Sequence, residues 1–393
     1  MKVLFQSRVD LFTIRGGDTT QMENTKKALE KLYPEIIVDI STNIKETNIE
    51  DYDIVHLFNL DWVCETYVQS QWAKQNNKLL VLSAIHHSQQ EVELYEAKYR
   101  YDLRRIYNSL ISFQSMRDEW KNIYRSFFDK RKIFPTIVQL LKGIRNSQKT
   151  ILGLSDAVLV QTEAEKGDIQ KDFQFDSKNF YKVVNGVNVE LFESASPNEF
   201  KNILKDKLNI DISGKKIILN VGRIEPRKNQ LSLIKAFINL EKRNLLKDCY
   251  LVFIGAFSKY SPEYKYFFKK YLSEHPNIIH LDSVPQAVVA SAMKDDGIYV
   301  HPSWFETTGL VALEASLLGR RVVAAGERVF EYMKDEAFYC EPDKVYTIEN
   351  AIINAIEAGD VEHDFRDKIK SLYNWDETAH QTMNVYKLLL NKN

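Results

Sequence analysis

Apolar residues along this chain fall into short continuous runs, and the stretches between the runs carry apolar residues at helical spacing. Several of the runs are apolar throughout rather than alternating, which is typical of parallel strands covered by helices on both faces. The pattern therefore predicts an α/β protein with parallel sheets. The runs predicted as strands are residues 3–5, 36–40, 54–58, 79–85, 157–160 and 181–184, followed by 217–221, 250–254, 278–281, 298–300 and 321–324.

These strands form two groups, and the sequence between the groups has the composition of a linker. Asn185-Gly186 favours a turn, and residues 194–198 are polar with one proline. A chain of 393 residues also suits two domains of ordinary size. We therefore expect one domain at 1–190, a second at 191–374, and a terminal helix at 375–393. In doubly wound domains of this kind, ligands bind at the carboxyl ends of the strands.

The segment HPSWFETTGLVALEAS, residues 301–316, carries the strongest candidate chemistry. It follows a predicted strand, and the leucines after it recur at helical spacing, so a helix is expected to begin near Thr308 or Gly309. Glu306 then lies in the loop before the helix, and Glu314 lies within it. The N–H groups at this helix start would form an anion site suited to a diphosphate. The two carboxylates would accept hydrogen bonds from hydroxyls, such as those of a sugar and a ribose.

A second candidate element follows the first strand of the second group. That strand ends at Gly222, and Arg223 and Lys228 follow around a turn at Pro226. Two cations beside a strand end, where the backbone can approach closely, would make a diphosphate clamp. Such a pair alone is also typical of a solvated turn. The glutamate pair about 80 residues later, again after a predicted strand, favours the clamp.

Together these segments resemble the signature of retaining glycosyltransferases of family 4, within the group 1 glycosyltransferases. The VNGVN stretch at 184–188 also resembles the N-G-V-D stretch that closes the first domain in that family. The resemblance implies the GT-B fold, an α/β architecture of two doubly wound Rossmann-like domains facing across a cleft, with the terminal helix crossing back to the first domain. Two departures are visible: K-N replaces the common K-G at Lys228, and Glu306-Thr307-Thr308-Gly309 replaces E-x-F-G.

The same resemblance implies roles for individual residues. Arg223 and Lys228 would bind the donor diphosphate, Glu306 the donor sugar and Glu314 the ribose. The implied catalytic residues are Arg223, Lys228, Glu306 and His86. The implied donor-binding residues are Gly17, Gly222, Arg223, Lys228, Glu306, Thr308, Gly309, Leu310 and Glu314.

Two weaker candidates lie in the first half. The pair Gly16-Gly17 precedes a predicted helix and would let backbone N–H groups reach a ligand, although any tight turn can use such a pair. The resemblance favours Gly17 as the contact. His86 follows another apolar run and matches a family histidine near the donor sugar; a structural role is the alternative. No carboxylate partner for His86 and His87 is evident from the sequence.

Metal, cofactor and membrane signals are weak. Asp51 and Asp53 superficially resemble a metal-binding D-x-D, but they precede a strand and are expected at the surface, so we predict no metal and no cofactor. The three scattered cysteines show no metal-ligand spacing and favour a reducing cytoplasm. The start of the chain is interpreted as a strand rather than a signal peptide, and no run approaches the ~20 apolar residues of a membrane span. We expect a cytoplasmic location.

Residues 97–149 combine 13 Lys or Arg with 4 Asp or Glu, and aromatic residues are interleaved among them. Much of this segment has helical spacing, interrupted at Pro135. It could contact the anionic inner face of a membrane peripherally, recognise an acceptor, or complete the core of the first domain with its cations solvated. Nucleic-acid binding is not expected, because the rest of the chain is acidic and no recognition module is present.

The sequence therefore favours a retaining hexosyl- or related transferase (EC 2.4). It would move a sugar from a nucleoside-diphosphate sugar to a glycan or lipid-linked acceptor in the synthesis of cell-surface polysaccharide or glycoconjugate. A GT-B sugar-nucleotide epimerase and a non-catalytic GT-B partner subunit are the alternatives.

Overall fold

The computed structural model describes residues 1–13, 16–44, 47–99, 101, 130–359 and 361–392. Its strands are β1 (Lys2–Gln6), β2 (Ile37–Ser41), β3 (Ile54–Phe58), β4 (Leu79–Ser83), β5 (Ala157–Val160), β6 (Phe180–Lys182), β7 (Lys216–Val221), β8 (Cys249–Ile254), β9 (Ile278–Leu281), β10 (Gly297–His301), β11 (Arg321–Ala324) and β12 (Ala337–Tyr339). All eleven predicted strands are therefore confirmed.

The helices alternate with these strands. They are α1 (Gly17–Leu32), α2 (Val63–Gln75), α3 (Gln89–Lys98), α4 (Ile133–Lys142), α5 (Ile144–Leu154), α6 (Glu163–Phe173), α7 (Val189–Ser194), α8 (Glu199–Leu208), α9 (Gln230–Lys242), α10 (Pro262–Glu274), α11 (Gln286–Met293), α12 (Leu310–Leu317), α13 (Glu327–Met333), α14 (Val345–Glu357), α15 (His363–Leu372) and α16 (Trp375–Leu390). Short 3₁₀ turns occur at Ile49–Asp51, Lys130–Lys132, Pro226–Lys228 and Lys334–Glu336. In the described part of the chain, no helix has the length and apolar character needed to cross a membrane.

The chain divides into two compact units. As far as their residues are described, the first comprises Met1–Gln89, Asn108–Gly186 and Trp375–Asn393, and the second comprises Gln90–Tyr107 and Val187–Asn374. The break after Gly186 lies four residues before the expected boundary at 190. The terminal helix α16 belongs to the first unit, where it packs on α1 and its Tyr386 hydroxyl lies 2.6 Å from His56 Nδ1.

Each unit is built on a parallel sheet that is six-stranded over the described residues. The order is β2-β1-β3-β4-β5-β6 in the first unit and β12-β11-β10-β7-β8-β9 in the second. In each case the chain first adds strands toward one edge and then reverses to the other, as in a doubly wound fold. The reversal leaves a switch point between β1 and β3 in the first sheet and between β7 and β10 in the second.

Apolar layers cover both faces of each sheet. Phe237 and Phe253 are fully buried on one face of the second sheet, and Tyr299 and Leu313 lie in the core on the other. Burial of both faces explains why the strands are apolar throughout rather than alternating. The segment at Pro135 corrects one expectation: α4 is continuous through this proline, which is its third residue, because a helix's first turn tolerates a missing N–H.

Candidate functional site

The switch point of the second sheet brings together the two segments that the sequence singled out. Strands β7 and β10 are adjacent and parallel, with Ile218 opposite Ile298. Gly222 directly follows β7, and the loop carrying Glu306 directly follows β10. Because β7 and β10 diverge into connections on opposite sides of the sheet, their carboxyl ends leave a crevice of the kind that binds ligands in this architecture.

The backbone beside Gly222 is unusually close to a neighbouring strand. Gly255 follows β8 with φ +149°, and a Cβ on it would lie 2.2 Å from the carbonyl oxygen of Gly222. Gly222 itself has φ +148°, and a Cβ there would meet Cε of Lys228 at 3.8 Å. Gly255 therefore permits the close approach of the two strand ends, and the positive φ of Gly222 favours glycine there, while Lys228 lies over Gly222 at an ordinary contact distance.

The cations after β7 sit in a short turn of their own. Arg223 is 43% exposed, with its guanidinium 3.9 Å from the Glu225 carboxylate. The 3₁₀ turn Pro226–Lys228 then turns the chain toward β10, and the carbonyl of Arg227 accepts a hydrogen bond from Trp304 N–H at 2.9 Å. That bond ties the cationic turn to the loop that carries Glu306.

Glu306 is the centre of a largely buried hydrogen-bond network. Its Oε1 accepts a short bond from the ammonium of Lys228 and lies 2.8 Å from Nε2 of His301. Nδ1 of the same imidazole lies 3.0 Å from the hydroxyl of Tyr299, and Ser303 Oγ lies 3.0 Å from Nε2. The carboxylate is therefore held from two sides within the loop.

The protonation states in this network follow from its charges. Burial alone would raise the pKa of Glu306, but Lys228 and His301 outweigh it and hold that pKa well below the usual range. Burial lowers the pKa of His301, and Glu306 does not reverse this, so the imidazole is neutral near pH 7. A carboxylate can only accept, so the ring proton lies on Nε2, and Nδ1 accepts from the Tyr299 hydroxyl.

The helix start beyond Glu306 lies close to its predicted position. Helix α12 begins at Leu310, and Gly309 is its N-cap with φ +65°, a conformation that favours glycine. Tyr332 fixes this corner: its hydroxyl donates to the carbonyl of Thr308 and, at 3.2 Å, to that of Gly309. Thr308 is buried, and Gly309 and Leu310 are half-buried.

Glu314 lies inside α12, as the sequence predicted, and its surroundings differ from those of Glu306. Its Oε1 lies 3.4 Å from Nε2 of Gln286, a long hydrogen bond. Burial without a cation raises the pKa of Glu314 to about 7. The carboxylates of Glu306 and Glu314, one in the loop after β10 and one in α12, thus have pKa values shifted in opposite directions. Shifted pKa values are common where carboxylates contact ligands.

In the first unit, Gly17 is the first residue of α1, and Gly16 is its N-cap. The helix start is occupied by the protein's own charges. Arg8 donates to Asp18 at 2.8 Å and to Asp10 at 2.7 Å, and Lys132 donates to Asp10 at 2.7 Å. These ion pairs are buried, so this helix start is electrostatically compensated by Arg8 and its partners.

His86 also lies in the first unit, three residues after β4, and is 2% exposed. Contrary to the sequence interpretation, it has carboxylate partners: Nδ1 lies 2.7 Å from Asp61 and Nε2 lies 3.0 Å from Asp172. Burial would lower the pKa of His86, but Asp61 and Asp172 raise it to about 9. Both ring nitrogens therefore donate, and a sugar contact by His86 remains a prediction.

Several groups around the second site were not predicted as site residues. The sequence showed His301 only as the first residue of the 301–316 segment. Two residues on other helices also contact this segment: Tyr332 bonds Thr308, and Gln286 bonds Glu314.

Asp51 and Asp53 are exposed, as expected, and Asp53 accepts from the Lys2 backbone N–H at 2.8 Å. Within the described ranges, no cluster of three or more His, Cys, Asp or Glu side chains is arranged to hold a metal ion. Most of the basic segment at 97–149 lies outside the described residues.

Comparison with protein-family models matches residues 201–372 to glycosyl transferases group 1. The D-inositol 3-phosphate glycosyltransferase of Corynebacterium glutamicum (strain R) is 27% identical over 184 residues, which are 46% of this chain and 43% of the relative. An uncharacterized glycosyltransferase of Methanocaldococcus jannaschii is 24% identical over 242 residues, 59% of this chain and 60% of that protein. The chain thus spans less than half of the corynebacterial relative's length. The matched region contains Arg223, Lys228, Glu306 and Glu314.

Solved structures agree along the whole chain. Sucrose-phosphate synthase from Thermosynechococcus elongatus has a TM-score of 0.70 at 16% identity, with 100% of both chains covered. HepE of Anabaena in complex with UDP-glucose has a TM-score of 0.66 at 14% identity, again with 100% of both chains covered. These similarities show that the chain has the fold of GT-B glycosyltransferases. With the family match, they support a GT-B glycosyltransferase.

Proposed function

We propose that this chain is a retaining, metal-independent glycosyltransferase that takes a hexose or related sugar from a nucleoside-diphosphate sugar. The observation that carries this proposal is the arrangement at the second switch point, where Lys228 and Glu306, 15% and 10% exposed, form an ion pair beside exposed Arg223. A diphosphate needs cations, and a sugar needs hydroxyl acceptors. Both lie at the strand ends where such ligands bind. Anabaena HepE, which shares the fold, has been solved with UDP-glucose.

In the proposed reaction, the bond between the sugar's anomeric carbon and the β-phosphate oxygen breaks. The acceptor hydroxyl forms a new bond to the same carbon on the same face, and its proton passes to the leaving diphosphate. Negative charge grows on the diphosphate as the old bond breaks. Arg223, Lys228 and the start of α12 would stabilise that charge, an effect that commonly dominates catalysis of this type.

When the donor binds, Lys228 and Glu306 would keep their contact with each other and each gain a contact with the donor. The Lys228 ammonium would be shared between the diphosphate and the carboxylate, while Glu306 would also accept from a sugar hydroxyl. His301 would keep Glu306 in place during this exchange. Glu314, whose bond to Gln286 is long at 3.4 Å, would take a ribose hydroxyl. His86 and Gly17 would complete the sugar and phosphate contacts.

The proposed acceptor is a glycan or a lipid-linked sugar in the synthesis of cell-surface polysaccharide or glycoconjugate. A lipid-linked acceptor would place the enzyme peripherally on the inner face of the membrane.

A two-step assay tests the proposal. Thermal shift with ADP, GDP, UDP and TDP should identify one base that stabilises the protein, with EDTA making no difference. The matching nucleotide sugars should then release sugar slowly, and NMR of the product should show the donor's anomeric configuration. Interconversion of free nucleotide sugars would instead show an epimerase, and no stabilisation by any nucleotide would favour a non-catalytic subunit.

A further inference from the structure

Helix α4 in the first unit has its polarity reversed relative to an ordinary surface helix. Five large apolar side chains point outward, with Phe134 60%, Ile137 53% and Leu141 86% exposed. Ile133 and Leu140 complete this set, which we call the apolar face of α4. At about 100° per residue, the five side chains fall within an arc of about 120°.

The inward side of the same helix is mainly polar. Thr136 and Gln139 are buried, and both contact Cys64 on α2: Thr136 Oγ1 lies 3.9 Å and Gln139 Oε1 lies 3.5 Å from its sulfur. Packing on the first unit therefore uses Thr136, Gln139 and the half-buried Val138, and leaves the larger apolar side chains outside. Exposing a continuous apolar face to water costs free energy, so a face of this kind usually marks an interaction surface.

Charge identifies the kind of partner. Residues 130–149 contain six Lys or Arg and no Asp or Glu. Arg131 precedes the apolar face, and Lys142, Arg145 and Lys149 follow it, all exposed. A second copy of the chain, placed face to face, would bring these cations against one another. An anionic surface with an apolar interior would satisfy both the charges and the apolar side chains.

The dimensions of α4 decide how it would meet such a surface. Ten residues of helix are about 15 Å long, half of the ~30 Å hydrocarbon thickness of a bilayer. The helix is therefore too short to cross a membrane. It suits the interfacial position of an amphipathic helix, with the apolar side in the acyl region and the cations at the headgroups.

We propose that the apolar face of α4 inserts into the interfacial layer of an anionic lipid bilayer, with Lys149 at the headgroups. This surface lies wholly within the first unit. Its test measures lipid binding and does not depend on the proposed transfer reaction.

The experiment is flotation of the full chain with vesicles of phosphatidylcholine alone and of phosphatidylcholine with 25% phosphatidylglycerol, at low and high salt. Binding should require phosphatidylglycerol and weaken with salt. Leu141→Ser and Ile137→Ser should each reduce the partition coefficient about tenfold. Lys149→Gln should reduce it about fivefold.

A matched control uses the same chemistry elsewhere in the first unit. Ile37 is 54% exposed, almost the same as Ile137, but it lies on β2. Ile37→Ser should leave lipid binding unchanged. All these variants should retain the wild-type melting temperature, because each changes an exposed side chain. Unfolding by Ile137→Ser would show that the face is covered in the native protein and would overturn the proposal.

Insertion itself can be seen with a polarity-sensitive fluorophore on Leu141→Cys, since the three native cysteines are buried. Its emission should shift to the blue with anionic vesicles, whereas the same label on Ile37→Cys should not shift. Failure of the wild-type chain to float with anionic vesicles at low salt would contradict the proposal. So would a concentration-dependent dimer that Leu141→Ser dissociates.

Discussion

Each unit buries a histidine at the carboxyl end of a parallel strand, yet the two imidazoles carry different charges. His86 lies between Asp61 and Asp172, and its pKa is raised to about 9. His301 contacts one carboxylate, Glu306, which already pairs with Lys228, and burial lowers its pKa. Lys228 therefore offsets the effect of Glu306 on the pKa of His301, whereas Asp61 and Asp172 together overcome the burial of His86.

The same difference extends to the surroundings of the two histidines. In the first unit, Arg8 forms ion pairs with Asp10 and Asp18, and both ring nitrogens of His86 donate to protein carboxylates. In the second unit, the Arg223 side chain is 43% exposed, and the bond from Gln286 to Glu314 is long at 3.4 Å. Charges of the first unit are thus paired with one another, whereas in the second unit Arg223 is exposed near the Lys228–Glu306 pair.

The largest expected effect tests the second half of this comparison. Arg223→Ala and Lys228→Ala should each lower turnover by about 10²–10³, or about 3–4 kcal/mol of transition-state stabilisation. The reason is that each removes a cation beside the proposed diphosphate. The control is Arg243→Ala, which removes an exposed cation that pairs with Glu349 on another part of the same unit. Near-normal turnover in a folded variant would show that the substituted residue does not stabilise the leaving diphosphate.

The next effect concerns stability and His86. Its pKa is about 9 in the folded protein and about 6.5 when unfolded. The protonated form therefore contributes about 3 kcal/mol that is fully present below pH 6.5 and lost as the pH rises through 9. Urea unfolding between pH 6 and 9.5 should show this loss. His86→Gln should flatten the slope, whereas His87→Gln, beside it, should keep it. Equal slopes in wild type and His86→Gln would mean that His86 is neutral.

Local patterns explain how much of this could be predicted from sequence. Strands with both faces covered leave continuous apolar runs, so eleven were predictable; three-residue β12, at the sheet edge, was not. The placing of Glu306 and Glu314 followed from helical spacing alone. The partners of His86 lie 25 and 86 positions away along the chain, and no local pattern links them. The reversed polarity of α4 was equally hidden, because helical spacing does not say which side packs inward.

A third effect separates the two glutamates. A lost charged hydrogen bond should cost about 1.5–3 kcal/mol. Glu314→Gln should weaken binding of the free nucleoside diphosphate and of the donor. Glu306→Gln should not weaken nucleoside diphosphate binding, because it frees the Lys228 ammonium for the diphosphate, but it should depress transfer and blur discrimination between sugars that differ at one hydroxyl. Calorimetry with the nucleoside diphosphate and transfer assays measure the two. Equal losses of nucleoside diphosphate affinity in the two variants would show that Glu314 does not bind the nucleotide and Glu306 the sugar separately.

The pH dependence of binding adds a sharper readout for the same pair. Burial raises the pKa of Glu314 to about 7, so its ionised, better-accepting form grows between pH 6 and 8. Nucleoside diphosphate affinity should rise over that interval beyond the rise caused by ionisation of the ligand itself. Glu314→Gln should remove the additional rise, and Glu306→Gln, whose parent carboxylate is already ionised, should retain it. The same slope in all three proteins would mean that Glu314 does not contact the nucleotide.

The smallest effect returns to the two histidines. We infer that His301 positions Glu306 through its Nε2–H and stays neutral. His301→Gln keeps an N–H donor near that place and should cost transfer no more than about 1 kcal/mol, the value of one hydrogen bond. His301→Leu, which has no donor, should lower transfer further while leaving nucleoside diphosphate affinity unchanged. Nitrogen-15 NMR of the imidazoles gives a readout independent of catalysis: between pH 6 and 8, His301 should show one protonated nitrogen and His86 two. If His301 instead shows two protonated nitrogens at pH 7, Lys228 does not neutralise Glu306, and the contrast between the two units disappears.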